Sequence, residues 1–195
     1  GNSNYNAATS VDQLLTIYAS PATIEPSNLT QTYNGSPRSV GVTTTPAGLS
    51  YSVTYDGSST APTNAGTYAV VITITDENYS GTYNTSMTIE PAEATITLGD
   101  LNQTYNGTAR SVSVTTTPSG LSTTVTYNGS PDAPTDAGSY GVSVTITDSN
   151  YTGSATDTLT IAKASQTISG VAATMTKNVG DPNYYVGGTA SSGLS

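Results

Sequence analysis

The chain has 195 residues, a formal net charge of −9, no cysteine, no histidine and only four basic side chains, Arg38, Arg110, Lys163 and Lys177. That composition excludes disulfide staples, thiolate metal sites and nucleophilic catalysis of the Ser-His-Asp or Cys-His kind. It also leaves no positive footprint for nucleic acid or anionic lipid. No apolar run approaches the roughly 20 residues of a helical membrane span, and no signal peptide opens the sequence, so membrane insertion is not expected in this segment. Small secreted eukaryotic domains commonly carry disulfides. Their absence beside abundant Thr, Ser, Asn and Gly fits a bacterial extracellular module better.

In chain order, residues 1–19 read as the end of a preceding repeat. Leu14-Leu-Thr-Ile17 has the pattern of Ser86-Met-Thr-Ile89 and Thr158-Leu-Thr-Ile161, and Asn4-Tyr5 echoes Asn78-Tyr79. A chain that opens mid-pattern reads as an internal piece of something longer.

Two complete copies follow, 20–91 and 92–163. Residues 31–89 reappear 72 positions later as 103–161, with 37 of 59 positions identical. Gln31-Thr-Tyr-Asn-Gly35 returns as Gln103-Thr-Tyr-Asn-Gly107, and Ala61-Pro-Thr-Asn-Ala-Gly-Thr-Tyr68 as Ala133-Pro-Thr-Asp-Ala-Gly-Ser-Tyr140. Within each copy the signal is strand. Tyr140, Val142, Val144 and Ile146 share one face with Ser143 and Thr145 opposite, and Tyr68, Val70, Ile72 and Ile74 repeat that face. This period of two, rich in β-branched residues, marks half-buried strands of antiparallel sheets. The strands of the second copy are expected at roughly 93–99, 103–106, 110–117, 122–128, 139–147 and 156–162, with those of the first a repeat earlier. Asn34-Gly35, Asp56-Gly57, Asn106-Gly107 and Asn128-Gly129 supply turn chemistry. Pro46 and Pro118 end the Val/Thr strands, because proline cannot donate to a ladder. No segment carries a helical period, so almost no helix is expected.

The junction Ile89-Glu-Pro-Ala-Glu-Ala94 has no Gly/Ser spacer and is stiffened by Pro91. After Lys163 the pattern changes. Gln166-Thr-Ile-Ser-Gly170 and Gly180-Asp-Pro-Asn183 do not continue the repeat, so 164–195 read as the truncated start of a different β module.

The ordered strings Gln-Thr-Tyr-Asn-Gly, Ser-Val-x-Val-Thr-Thr-Thr-Pro, Ala-Pro-Thr-(Asn/Asp)-Ala-Gly-x-Tyr and Asn-Tyr-x-Gly before Leu-Thr-Ile resemble the MBG repeat. That is the mostly-beta, glycine-rich module of large bacterial surface and adhesin-like proteins. The tail from Gln166 resembles the start of a bacterial immunoglobulin-like repeat. The first resemblance covers roughly 1–163 and implies an extracellular, multi-repeat, non-enzymatic context with no catalytic residues to carry over.

The fold class expected is all-β: tandem immunoglobulin-like antiparallel β-sandwich repeats with almost no helix. (Asn/Asp)-Ala-Gly-x-Tyr before alternating Val/Ile is similar to a tyrosine corner, which makes Tyr68 and Tyr140 candidate structural corners. The alternative, β-grasp-like repeats, needs a crossing helix that is not visible.

Chemistry has few candidates. Calcium takes hard oxygen ligands from Asp/Asn-rich loops. The possible ligands are Asp76, Glu77 and Asn78, with Asp148 and Asn150 in the second copy, although no Asp-x-Asp-x-Asp-Gly string exists. The plainer reading of Asp76 and Asp148 is a turn-forming Asp ahead of Asn. The Thr-rich strands read as β-propensity on a solvent face and not as an ice-binding array. The first copy has no lysine for an internal isopeptide bond, and a Thr–Gln ester through Gln31 or Gln103 has no positive support. Tyr33, Tyr55, Tyr68 and Tyr79 recur as Tyr105, Tyr127, Tyr140 and Tyr151, which favours core over glycan platform. Tyr51 and Tyr83 face Thr123 and Ala155 in the alignment, so they are expected to be exposed.

The sequence therefore reads as a non-catalytic stalk or spacer at the bacterial cell surface, holding distal domains away from the cell. It needs no cofactor, with calcium as the one open possibility. Its expected partners are neighbouring repeats of the same polypeptide in a monomeric rod, with glycan or surface ligands bound through other domains. The alternative is a carbohydrate-binding adhesin module. A third reading is an accessory domain of an enzyme.

Overall fold

In the computed structural model the described residues are 3–4, 9–171, 176, 178–180 and 187–192. They form two compact units, Gly1–Ala92 with Ser149–Tyr151, and Glu93–Asp148 with Thr152–Ser195. No helix occurs among the described residues.

The first unit contains β1 (Ser20–Pro21), β2 (Thr23–Ser27), β3 (Thr30–Thr32), β4 (Gly41–Thr45), β5 (Tyr51–Tyr55), β6 (Gly66–Ile74), β7 (Tyr79–Ser80) and β8 (Thr82–Glu90). Strands β3, β8, β6 and β5 form a four-stranded sheet in that order, and β2 with β4 forms a second sheet. The core lies between them. Val70, Ile72 and Ile74 come from β6, Met87 and Ile89 from β8, Tyr55 from β5, and Ile24 from β2, joined by Val40 just before β4. Val71, between two buried neighbours on β6, is on the exposed side, as alternation requires. Each fully buried aliphatic side chain contributes about 1.5–3 kcal/mol.

The second unit repeats this plan. After β9 (Ala92–Glu93) come β10 (Thr95–Gly99), β11 (Asn102–Thr104), β12 (Ser113–Thr117), β13 (Thr123–Tyr127), β14 (Gly138–Ile146), β15 (Tyr151–Thr152) and β16 (Ser154–Ala162). The sheets are β11-β16-β14-β13 and β10-β12, around Val112, Tyr127, Val142, Val144, Leu159 and Ile161. Beyond them β17 (Ile168–Ser169) pairs antiparallel with β18 (Thr189–Ala190). The all-β sandwich expectation is met.

Turn chemistry operates as the sequence implies at all four Asx-Gly pairs. Gly35 and Gly107 have φ of 79° and 81°, and Asn34 and Asn106 Oδ1 accept from the Ser36 and Thr108 N–H groups at 3.0 Å. In the other two pairs both residues have positive φ. Asp56 and Gly57 have φ of 48° and 84°, and Asn128 and Gly129 have 48° and 86°. These tight turns require positive φ at both positions. Their side chains then tie the turn to the next strand: Asp56 Oδ1 accepts from Ala69 N–H at 2.8 Å, and Asn128 Oδ1 from Gly141 N–H at 2.7 Å.

One detail corrects the sequence reading. The pairing is not wholly antiparallel: β3 runs parallel to β8, β11 to β16 and β1 to β7. The cause is local. Only Asn28 and Leu29 separate β2 from β3, with Asn28 at φ 57°. That link changes sheet without reversing direction, so β3 runs alongside the closing strand. Asp100, at φ 57°, does the same before β11. Among the described residues Leu14-Leu-Thr-Ile17 has no ladder partner, and Leu14 is 94% exposed. Tyr5 and the Asp181-Pro-Asn183 part of the tail pattern lie outside the described residues.

The copies also differ in a compensating way. Ser27 on β2 pairs with Gly41 on β4, whereas Gly99 on β10 pairs with Ser113 on β12. A Cβ on either glycine would meet the serine hydroxyl opposite. Gly41→Ser alone is therefore expected to cost about 1 kcal/mol, the low end of overpacking because a hydroxyl can rotate. Adding Ser27→Gly should restore stability in urea unfolding. A single variant as stable as the parent would refute the compensation.

Candidate functional site

Each unit has a turn ahead of its longest strand, pinned by a tyrosine. In the first, the Tyr68 hydroxyl donates to the Asn64 carbonyl at 2.8 Å. In the second, Tyr140 donates to the Asp136 carbonyl at 3.0 Å. Gly66 and Gly138 lie under these rings; a Cβ on them would sit 3.4 and 3.2 Å from the respective hydroxyl oxygens. A deeper tyrosine pair sits in the core. Tyr55 and Tyr127, 5% and 6% exposed, each accept a backbone N–H at 3.1 Å, from Val40 and Val112. A buried ring with its hydroxyl satisfied both packs the sheet interface and ties down the loop before β4 or β12.

In the first unit the pinned turn is occupied. Ala65 N–H donates to Asn150 Oδ1 at 2.8 Å, and Asn150 Nδ2 donates to Asn64 Oδ1 at 3.4 Å. Beside it, Tyr151 meets Tyr33 edge to face, with centroids 5.3 Å apart and planes at 79°. This is a favoured aromatic geometry. Ala92 N–H donates to the Asn150 carbonyl at 2.9 Å, which holds the dipeptide in place from the backbone side. The corner tyrosine, the turn and the Asn-Tyr dipeptide thus form one arrangement that reads an amide side chain and an aromatic ring together.

In the second unit the equivalent residues are Asp136, Ala137 and Tyr105. Tyr105 is 40% exposed, whereas Tyr33 is half-buried. Asp136, Ala137 and Tyr105 line a cavity of about 450 Å³ together with Lys163, Gln166 and Ser191.

Two of the calcium candidates, Asp76 and Asn150, make hydrogen bonds through their side chains. Asp76 Oδ1 accepts from Asn78 N–H at 2.9 Å, an Asx turn. Glu77 is exposed and Asp148 half-buried. Asn150 is the residue seated on Ala65. Among the described residues no group of three or more carboxylate, His or Cys side chains is placed to hold a metal. Tyr51 and Tyr83 are 44% and 42% exposed.

Sequence reasoning passed over one recurrence. Arg38 and Arg110, two of four basic residues, stand 72 apart. Their backbone N–H groups donate to Pro62 O and Pro134 O, both at 2.8 Å, while each Nε is buried without a hydrogen-bond partner. A scarce residue type at matched positions was the available signal.

Sandwich units repeated in tandem, each with a pinned turn, define a β-repeat protein. Residues 22–93 match the MBG domain family and residues 94–165 match it again, so the chain belongs to that family. No curated protein is similar enough to count as a relative.

Proposed function

We propose that this chain is a non-catalytic spacer segment of a bacterial cell-surface or secreted adhesin-like protein, holding other domains at a distance from the cell. Membership of a tandem-repeat family supports the reading. The observation that carries it is what the two copies share. The Tyr–backbone bond lengths agree to within 0.2 Å at both tyrosine sites. The buried Val/Ile positions and turn residues also recur, whereas the exposed rings Tyr51 and Tyr83 become Thr123 and Ala155. Duplication has preserved the residues that fold the unit. A length-setting role needs only that. The acidic, polar surface opposes non-specific association.

Solution scattering tests it. A compact chain of 195 residues would have a radius of gyration of about 16 Å. A spacer should measure well above that value at every protein concentration, and a value near it would reject the proposal.

A further inference from the structure

The turn that holds Asn150 and Tyr151 in the first unit has a counterpart in the second with the same backbone frame. Tyr33 N–H donates to Glu90 O and Tyr105 N–H to Ala162 O, each at 2.8 Å. Both turns are pinned by their tyrosine. Among the described residues only the first holds an Asn-Tyr pair, and its Tyr33 is half-buried while Tyr105 is 40% exposed. The occupying dipeptide itself recurs: Asn78-Tyr79 is the earlier copy of Asn150-Tyr151, and Asn78 is exposed.

We propose that Asp136, Ala137 and Tyr105 form a receptor site for the Asn-Tyr loop of another repeat of this family. The ligand's Asn Oδ1 accepts from Ala137 N–H, its Nδ2 donates to the Asp136 side chain, and its Tyr ring meets Tyr105 edge to face. The seated dipeptide in the first unit supplies each of these pairings. One difference makes the second site more selective. Asn64 offers an amide, whereas Asp136 offers a carboxylate, which strengthens the bond to an amide donor and repels an acidic ligand. The Asp136 carboxylate therefore favours Asn-Tyr over Asp-Tyr. A loop from a further repeat would enter the 450 Å³ cavity beside Ala137 and Tyr105.

The inference rests on the geometry of the pinned turns and not on the spacer reading, so the two can fail separately. The test titrates the isotope-labelled full chain with the peptide Asp-Ser-Asn-Tyr-Thr-Gly, the sequence of residues 148–153, and follows backbone amides. The Ala137 resonance should shift and saturate, while that of Ala65, already engaged by Asn150, should stay put. Half-saturation is expected at millimolar peptide, and replacing the peptide's Asn by Asp or Ala should weaken it by about tenfold or more. A silent Ala137 amide, or equal shifts from all three peptides, would overturn the proposal. In a second arm, the Ala137 amide of the chain alone should shift as concentration rises, and Asn78→Ala should abolish that shift. Persistence of the shift in the variant would equally count against the site.

Discussion

Replacing Met87 by alanine is expected to unfold the first unit largely on its own. Met87 has 0% exposure and sits on β8 among Val70, Ile72 and Ile89. Truncating a fully buried side chain of this size costs about 2–5 kcal/mol. A unit of this size has about 4–11 kcal/mol in total. The variant should therefore show an early urea transition in which the amides of β6 and β8 exchange, while those of Val144 and Leu159 keep their protection. Leu159→Ala should produce the mirror result, since Leu159 is the same position one repeat later and also 0% exposed. Met87→Leu should cost under about 1.5 kcal/mol. It loses only the contact of Gln31 Nε2 with the sulfur, at 3.4 Å. Gln31 keeps its bonds to Asn28 O and Ser39 O, as Gln103 keeps those to Asp100 O and Ser111 O beside a leucine. One unchanged transition in Met87→Ala would contradict the two-unit description.

The other large effect belongs to a glycine. In Gly153→Ala the new methyl would collide with the Ala94 carbonyl oxygen and lie 3.1 Å from Ile146 Cδ1. Neither neighbour yields easily. Ala94 N–H is bonded to Thr152 O at 2.9 Å, and Ile146 N–H to Gly153 O at 3.0 Å, so backbone is held on both sides. Overpacking against fixed backbone costs about 1–3 kcal/mol or more, which in a domain of this size lowers the melting temperature by at least about 4–8 °C. Gly81→Ala should be milder, because its methyl would stand 2.8 Å from the Ala22 carbonyl oxygen. A melting curve unchanged by Gly153→Ala would show that the two backbone segments part readily, and would remove the explanation offered for the glycine of Asn-Tyr-x-Gly.

These two positions divide in how far the sequence exposed them. The inward face of Met87 and Leu159 follows from alternation with their neighbours, since side-chain direction along a strand depends only on parity. The same holds for Val70, Ile72, Val142 and Val144. The recurrence of Gly81 as Gly153 was equally visible, but its cause was not, because the carbonyl it avoids belongs to the single residue linking two strands far back in the chain. Tyr68 and Tyr140 were legible as corners from the Ala-Gly-x-Tyr string, and Tyr55 and Tyr127 only as recurrent aromatics. The Asn-Tyr pair was read mainly as turn and calcium chemistry, because Asp and Asn side chains serve both.

Local pattern, then, settles strand positions, inward faces and the four Asx-Gly turns, all of which depend on residues a few positions apart, and comparison of the two copies gives the repeat. Tertiary structure alone decides that β3 lies parallel to β8, since that pairing joins the two ends of a copy. It alone shows the Ser27–Gly41 exchange, which is a property of a pair across a ladder. And it alone brings Asn150 to the Ala65 amide, 85 residues away in sequence. An amide side chain carries no mark of which distant N–H it will meet; that is set only when the pinned turn and the Asn-Tyr dipeptide are folded into place.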